Sequence, residues 1–315
     1  MKPGNQSKRP GWVRRGEWLE TMPGRSLLAA EDRIAAACLW LSETVGMPDK
    51  LRERLLRENG IQLKGDRLRL ALFPSREPGI DPLWHELEIL FEDDFCLVVH
   101  KPSGMAVHPD GSGGSAVTLD HAVAAHYSAS GQSCAVRHIH RLDKETTGPV
   151  LYAKNELAQL VLDEAMRRKD ITRRYAAIVK GVVPKSLQTI DLPIGRDRHH
   201  ASRRRVSPGG QPAVTRIVQR EAWREATLLR LELETGRTHQ IRVHLSHMGH
   251  PLYGDALYGG PEGPQLSSGR KLNRQALHGE SLAFPHPWTG EVIEAENPWP
   301  EDMMLLRARL EGSKQ

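Results

Sequence analysis

The stretch Glu225–Gly249, EATLLRLELETGRTHQIRVHLSHMG, contains the transition that decides the fold class. Up to Leu233 the period is two: Leu229, Leu231 and Leu233 fall on one side, and Arg230, Glu232 and Glu234 on the other. That is the pattern of a strand in a sheet with one wet face. After it the period lengthens, because Ile241, Leu245 and Met248 recur at helical spacing, with Thr238 placed to cap the helix and Gly249 to end it. A strand followed closely by a short helix points to a mixed α+β protein.

The same reading extends in both directions. In HIHRLDKETTGPVLYAKN, His138 to Asn155, Val150, Tyr152 and Lys154 alternate with Leu151 and Ala153, the period of an extended chain. Gly148 and Pro149 close the polar loop before that strand. Asp143 therefore sits in a fixed turn at a strand end, where a sheet can hold a reactive group in a cleft. LEILFEDDFCLVVHKP predicts a hairpin turning at Asp93 and Asp94, RYAAIVKG another strand, and AVTLDHAVAAHYS and ELAQLVLDEAMRRK amphipathic helices. Upstream, DRIAAACLWLSETVG predicts a helix. It is followed by a short amphipathic helix with Leu51, Leu55 and Leu56, a turn at Asn59 and Gly60, and a strand around Leu68, Leu70 and Leu72. Pro, Gly and charge concentrate between Ser75 and Pro82. The expected division is a basic, disordered tail over 1–25, a small N-terminal α/β region over 26–82, and a main domain over 83–315.

At 315 residues, with 39% hydrophobic and 26% charged, the chain has the composition of a soluble protein with one large core or two modest ones. Its apolar runs are far short of the roughly 20 residues that span a bilayer, and MKPGNQSKRPGWVRRGEW lacks the apolar centre of a signal peptide. Cytoplasmic residence is the expectation. Cys38, Cys96 and Cys134 are too far apart for a CxxC pair, and their odd number argues against a disulfide framework. The formal charge of +5 favours a polyanionic partner only mildly, but its distribution is more informative. Six Lys or Arg stand against two Glu in residues 1–25, and GRDRHHASRRRVSPGG, Gly195 to Gly210, carries five arginines. Two such clusters suit a phosphate backbone.

Several chemistries lose their support. Four histidines, His239, His244, His247 and His250, invite a metal. Yet no HExxH is present, no acidic ligand lies inside the helix, and Arg242 would place a fixed positive charge among the ligands. GxSxG, GxGxxG and GxxxxGK[ST] are all absent, which removes the usual signals of serine hydrolases, dehydrogenases and NTPases.

What remains is recognisable. HRLDKETTG with LYAKN, RRYAAIVKG, and ETGRTHQIRVHLSHMGHPLYGD resemble the three signature segments of the RluA-type pseudouridine synthases, and HKPSGMAVHP and LHGESLAFPHPWTGE fit the same family. The resemblance runs from about Leu87 to Met304, in the family's order. It implies a mixed, mainly antiparallel central β-sheet flanked by helices around a catalytic cleft, with no cofactor and no metal. It further implies isomerisation of uridine in structured RNA, ribosomal ahead of transfer RNA. The bond from ribose to N1 breaks and one to C5 forms.

By that resemblance Asp143 is the essential carboxylate, acting at the ribose as nucleophile or base, or through C6 of the uracil. Each route needs it ionised. Arg242 supplies a neighbouring positive charge that favours the ionised form, and Tyr175 packs against the target base. A stacked uridine cannot present its glycosidic bond, so the nucleotide must be everted; Arg141 is the candidate for filling the gap or gripping a phosphate. The other expected RNA contacts are His140, Thr146, Arg237, His239, Arg203, Arg204 and Arg205. Thr147 stands where the family usually has serine, and Pro149 where it usually has an aliphatic residue. LRERLLRENGIQLKGDRLRL has the flavour of an S4 RNA-binding module without its run of basic residues, so a degenerate remnant is expected. The protein is expected to be a monomer with RNA as its partner. Its rivals are an RNA-binding protein that kept this fold but lost turnover, and a metal-dependent nucleic-acid hydrolase.

Overall fold

The computed structural model describes residues 11–24, 27, 29–109, 116–260 and 264–312. The first described segment is a hairpin, β1 (Trp12–Arg15) and β2 (Trp18–Thr21). The expectation of disorder over 1–25 therefore fails for residues 11–24, while residues 1–10 and 25 lie outside the described residues. Aromatic and aliphatic anchors outweigh the basic composition here. Trp12 stacks on His286 at 5.4 Å and meets Phe95 edge-on at 5.3 Å, and Leu19 is fully buried. A fully buried side chain of that size contributes about 1.5–3 kcal/mol.

Next comes α1 (Arg33–Trp40), whose first turn is capped by Asp32 Oδ1 accepting from Ile34 N and Ala35 N. It continues into a π-helical turn at Leu41–Val45 and stops at Gly46, with φ 73°. Helix α2 (Asp49–Arg57) buries Leu51 and Leu55, whereas Leu56 faces largely outward. After Asn59, at φ 55°, β3 (Ile61–Lys64) and β4 (Arg67–Leu70) complete an antiparallel sheet of order β1-β2-β4-β3. The Pro- and Gly-rich segment after it is a connection but not a break in the core. Leu19, Leu51, Leu55 and Leu70 share one apolar cluster with Phe95, Leu151, Leu162 and Trp288.

The main body begins with β5 (Ile89–Glu92) and β6 (Cys96–Lys101), turned by Asp93, whose Oδ1 accepts from Phe95 N and Cys96 N. Helix α3 (Leu119–Ala129) follows, and β7 (Gly148–Ala153) then joins β6 to make a three-stranded sheet. Every residue of β7 is buried because both of its faces meet a core. Val150 and Tyr152 pack with Leu97, Val123 and Tyr127; Leu151 and Ala153 pack with Val98 and with Leu157 and Leu162 of α4 (Glu156–Arg168).

The larger sheet is assembled from β8 (Thr172–Lys180), β9 (Thr189–Asp191), β12 (Val214–Ala222), β13 (Ala226–Leu233), β14 (Leu277–Pro285) and β15 (Val292–Glu296), in the order β15-β14-β8-β13-β12-β9. The hairpin β10 (Ile194–Arg196) and β11 (Arg204–Val206) stands beside it. Helix α5 (Gln240–His247) covers one face through Ile241 and Leu245, and α6 (Glu301–Gly312) covers the other through Met303, Leu306 and Leu310. The wet face expected for β13 is therefore partial: Arg230 and Glu232 are half-exposed, but Ala226 and Leu228 on that side are buried.

A seam between the two sheets fixes the loop that carries Asp143. Gly279 N donates to Thr147 O at 2.8 Å, and Thr147 and His278 form an isolated parallel bridge. A Cβ on Gly148 would come within 2.8 Å of Gly279 Cα, and one on Gly279 within 2.9 Å of Pro149 Cδ. Only glycine at both positions allows so close an approach, and Gly148, with φ 146°, adopts a conformation that L side chains rarely take. Pro149 enters β7 opposite His100 without interrupting the strand.

Candidate active site

The loop 138–147 runs from the edge of β7 to the seam and displays Asp143. Its inner side is held by Lys101, whose ammonium donates to Pro102 O at 2.7 Å, Met105 O at 2.7 Å and Lys144 O at 2.9 Å. Burial of this lysine lowers its pKa to about 7, against the pull of Glu145 and Asp143; the three carbonyls match the three protons of the charged form. Thr146 N donates to Asp143 O at 3.0 Å, and the Thr146 hydroxyl accepts from Gln275 Nε2 at 3.0 Å. The Thr147 hydroxyl pairs with His278 Nδ1 at 2.8 Å.

Arg242 comes from α5, 99 residues away, and brings its Nη1 to 3.1 Å from Asp143 Oδ2. Its Nε and Nη2 are occupied by Asp255, at 2.7 and 2.9 Å, in a two-pronged pair. Asp255 also accepts from Leu257 N and Tyr258 N, both at 3.1 Å, and its side chain is fully buried. Burial works against the charge on Arg242, but the carboxylates of Asp255 and Asp143 outweigh it and raise the guanidinium pKa. The guanidinium is thus a fixed cation whose position Asp255 sets, leaving Nη1 for Asp143. The Asp143 side chain retains 20% exposure, and among the described residues its Oδ1 takes no hydrogen bond.

Asp143 opens into a cleft of about 640 Å³. Tyr175, on β8, lines it and is 5% exposed; burial raises its hydroxyl pKa, with Arg173 opposing and Asp143 adding to the shift. The predicted Thr238 cap does not form. Helix α5 is instead preceded by His239 in a left-handed conformation, φ 59°, and the Gln240 side-chain oxygen accepts from Arg237 N and the Thr235 hydroxyl. That turn brings His239 Nε2 to 4.0 Å from Asp143 Oδ2 and its Nδ1 to 3.0 Å from Tyr258 Oη. Burial lowers the His239 pKa, with Asp143 pulling the other way.

The other predicted contacts divide. His140, Arg141, Thr146, Arg237 and His239 all line the cleft. Arg141 is exposed at its rim, with its guanidinium on His108 Nε2 at 2.7 Å; His108 stacks on His138, and His138 is bonded to Asp120. Arg203, Arg204 and Arg205 lie outside the cleft. Arg203 lies over the Tyr258 ring at 5.2 Å, Arg204 N donates to Tyr258 Oη, and Arg205 is exposed on β11. Tyr258 also lies 5.0 Å from the Arg242 guanidinium, so one ring links the basic hairpin to the centre.

Three of the four histidines near α5 point to separate partners. His239 meets Tyr258, His244 sits between the Thr215 hydroxyl and Leu192 O, and His250 bonds Lys180 O. Among the described residues no group of three or more His, Cys, Asp or Glu could hold a metal ion. Sequence reasoning missed Asp255, Tyr258, Lys101 and Arg173. The first two do carry a signal, since HPLYGDALYGG sets an acid and a tyrosine in a glycine-punctuated loop just after the helix.

A carboxylate with one oxygen free of hydrogen bonds among the described residues, a pinned cation behind it and a buried tyrosine lining the same cleft can serve attack on, or proton removal from, a bound ligand. Comparison with known proteins supplies the class. The family described as RNA pseudouridylate synthase matches residues 95–247. The Bacillus subtilis (strain 168) protein called "Uncharacterized RNA pseudouridine synthase YhcT" is 44% identical over 92% of each chain. The Vibrio cholerae "Ribosomal large subunit pseudouridine synthase D" is 45% identical over 71% of each. The solved structure of "Human RNA Pseudouridylate Synthase Domain Containing 1" superposes with a TM-score of 0.53 at 26% identity, covering 70% of this chain and 87% of that one. The chain belongs to the RluA-type RNA pseudouridine synthases. It is an isomerase that acts on RNA, and its α+β architecture is that of the family.

Proposed function

We propose that this enzyme isomerises one or more uridines of large-subunit ribosomal RNA, with Asp143 as the catalytic carboxylate. The observation that carries the assignment is the chain Asp143–Arg242–Asp255: a solvent-reachable acid whose partner cation is locked from behind. Ribosomal RNA is preferred because the names of several relatives, including that of Vibrio cholerae, specify the large ribosomal subunit. In the proposed reaction the ribose–N1 bond breaks, the uracil turns, and C1′ bonds to C5. The C5 proton is lost to solvent and N1 gains one, so atoms balance without cofactor or oxidant. Whether Asp143 attacks C1′ or removes a ribose proton, its ionised form acts, and Arg242 Nη1 holds its Oδ2 at 3.1 Å. Tyr175 packs against the everted base, and Arg141 leaves His108 to occupy the gap or to hold a phosphate. The hairpin arginines Arg203, Arg204 and Arg205 contact the strand outside the cleft.

We assign the N-terminal unit no S4-type contact, since Arg52 pairs with Asp49 and Arg54 with Glu58 and Glu156. A monomer in the cytoplasm completes the reading; among the described residues no helix is long and apolar enough to cross a membrane. The test maps pseudouridines by carbodiimide treatment and primer extension in cells with and without the gene. Loss of a position in large-subunit ribosomal RNA is expected. Loss confined to transfer RNA would overturn the substrate assignment, and no loss anywhere would overturn the activity.

A further inference from the structure

Arg173 is a charged side chain of the cleft that the proposed reaction leaves unused. It lies two residues before Tyr175 on β8, so strand alternation sends both to the same face, and both line the cleft with Asp143. The residue is only 9% exposed, yet among the described residues no carboxylate lies within ion-pair distance of its guanidinium. Nη2 donates weakly to Leu233 O at 3.3 Å, and the buried Nε has no partner. Its seat is made by an absent side chain: a Cβ on Gly236 would fall 2.9 Å from Arg173 Nη1. His140 stands in the same wall, also 9% exposed. Its Nε2 accepts from Leu151 N at 3.3 Å, so the neutral ring carries its proton on Nδ1, and that buried atom also lacks a partner.

A buried cation without a counter-charge destabilises a protein unless something supplies the missing charge. Arg173 and His140 both line this cleft, and each carries a buried donor nitrogen without a partner, a pairing that selects an anionic oxygen acceptor. Resting on the activity proposed above, we infer that Arg173, seated on Gly236 and flanked by His140, binds a backbone phosphate of the RNA strand whose nucleotide is everted beside Asp143. The substrate's phosphodiester thus completes a charge that the free protein leaves open. Arg173 is a binding residue here, distinct from the rim contact of Arg141 and from the hairpin arginines.

The experiment pairs binding with stability. Fluorescence anisotropy of labelled decauridylate, from about 50 to 200 mM salt, gives the slope of log affinity on log salt, to which each phosphate neutralised on a single strand adds about 0.7 in magnitude. Arg173→Gln should lower that slope by about that amount and weaken binding at least about tenfold at the low-salt end. Arg173→Lys should restore the slope. Without RNA, Arg173→Gln should melt at the wild-type temperature or above it, because an uncompensated charge has been removed. An unchanged slope, a lowered melting temperature, or no salt-dependent binding by the wild type overturns the proposal. Tritium release from C5-labelled ribosomal RNA, run on the same wild-type preparation, separates it from the activity. Release with an unchanged slope removes the Arg173 assignment alone; a changed slope without release removes the activity alone.

Discussion

Replacing Asp255 with Asn changes one oxygen to an amide nitrogen and should disable the centre without touching Asp143. Asp255 takes both Arg242 Nε, at 2.7 Å, and Nη2, at 2.9 Å, and its Oδ1 also serves the backbone of Leu257 and Tyr258. An Asn keeps one acceptor. Its NH2 group then faces a guanidinium N–H or a backbone N–H, donor against donor. The Arg242 charge, buried with its side chain 9% exposed, keeps only Asp143, at 3.1 Å. Breaking a buried, hydrogen-bonded ion pair from one side is worth about 3–5 kcal/mol of stability. Part of that loss is relieved if Arg242 swings toward Asp143, which moves the cation relative to the carboxylate proposed to react; a misplacement of about 1 Å costs on the order of 10²-fold in rate. Urea unfolding followed by circular dichroism measures the first effect, and single-turnover tritium release measures the second. A stability change below about 1 kcal/mol together with a rate within threefold of wild type, on the order of the scatter among harmless surface substitutions, would refute the claim that Asp255 sets the position of Arg242.

The seam and the buried histidines give further expectations. Gly148→Ala places a methyl 2.8 Å from Gly279 Cα at φ 146°; overpacking and backbone strain together should remove about 2–5 kcal/mol of unfolding free energy, and a loss under about 0.5 kcal/mol would contradict the close approach. His278, fully buried, has its pKa lowered by burial to about 4, with the bond to Asn297 O opposing. A base held neutral in the fold is protonated first in the unfolded chain, so stability is complete above about pH 6.5 and declines as pH falls toward 4. The full span is about 3 kcal/mol. Denaturation curves collected across that window should show the decline, and His278→Gln should flatten it; an unchanged slope in the variant would show that other groups cause it.

Period and turn chemistry made most of the scaffold legible. Strands β7, β8 and β13, helices α3 and α4, and the Asp93 hairpin follow from local alternation, because each has an apolar face with a core to bury. Where the local signal misled, a tertiary contact explains it. The tail around Trp12 and Leu19 reads as basic and unstructured, but its aromatic ring finds Phe95 and His286 more than 80 residues away. Thr238 has the chemistry of a cap, yet His239 takes a left-handed turn there and the Gln240 side-chain oxygen accepts from Arg237 N just before the helix. At the site, Asp143 was legible through its loop and the signature segments around it. Asp255, Lys101 and Arg173 were not, because a charged residue in a sequence reads as a solvated one. Only the fold shows that the lysine meets three carbonyls, the aspartate a guanidinium and Arg173, among the described residues, no carboxylate within ion-pair distance.

The central assignment rests on the carboxylate at 143, and Asp143→Asn tests it most directly, since the amide preserves shape and loop contacts while removing the charge. Tritium release from C5-labelled large-subunit ribosomal RNA under single-turnover conditions, with filter binding of the same RNA, is the measurement. We predict no detectable release at undiminished affinity; sustained release within tenfold of the wild-type rate, on the order of 1.4 kcal/mol of barrier, would contradict an essential role for that side chain.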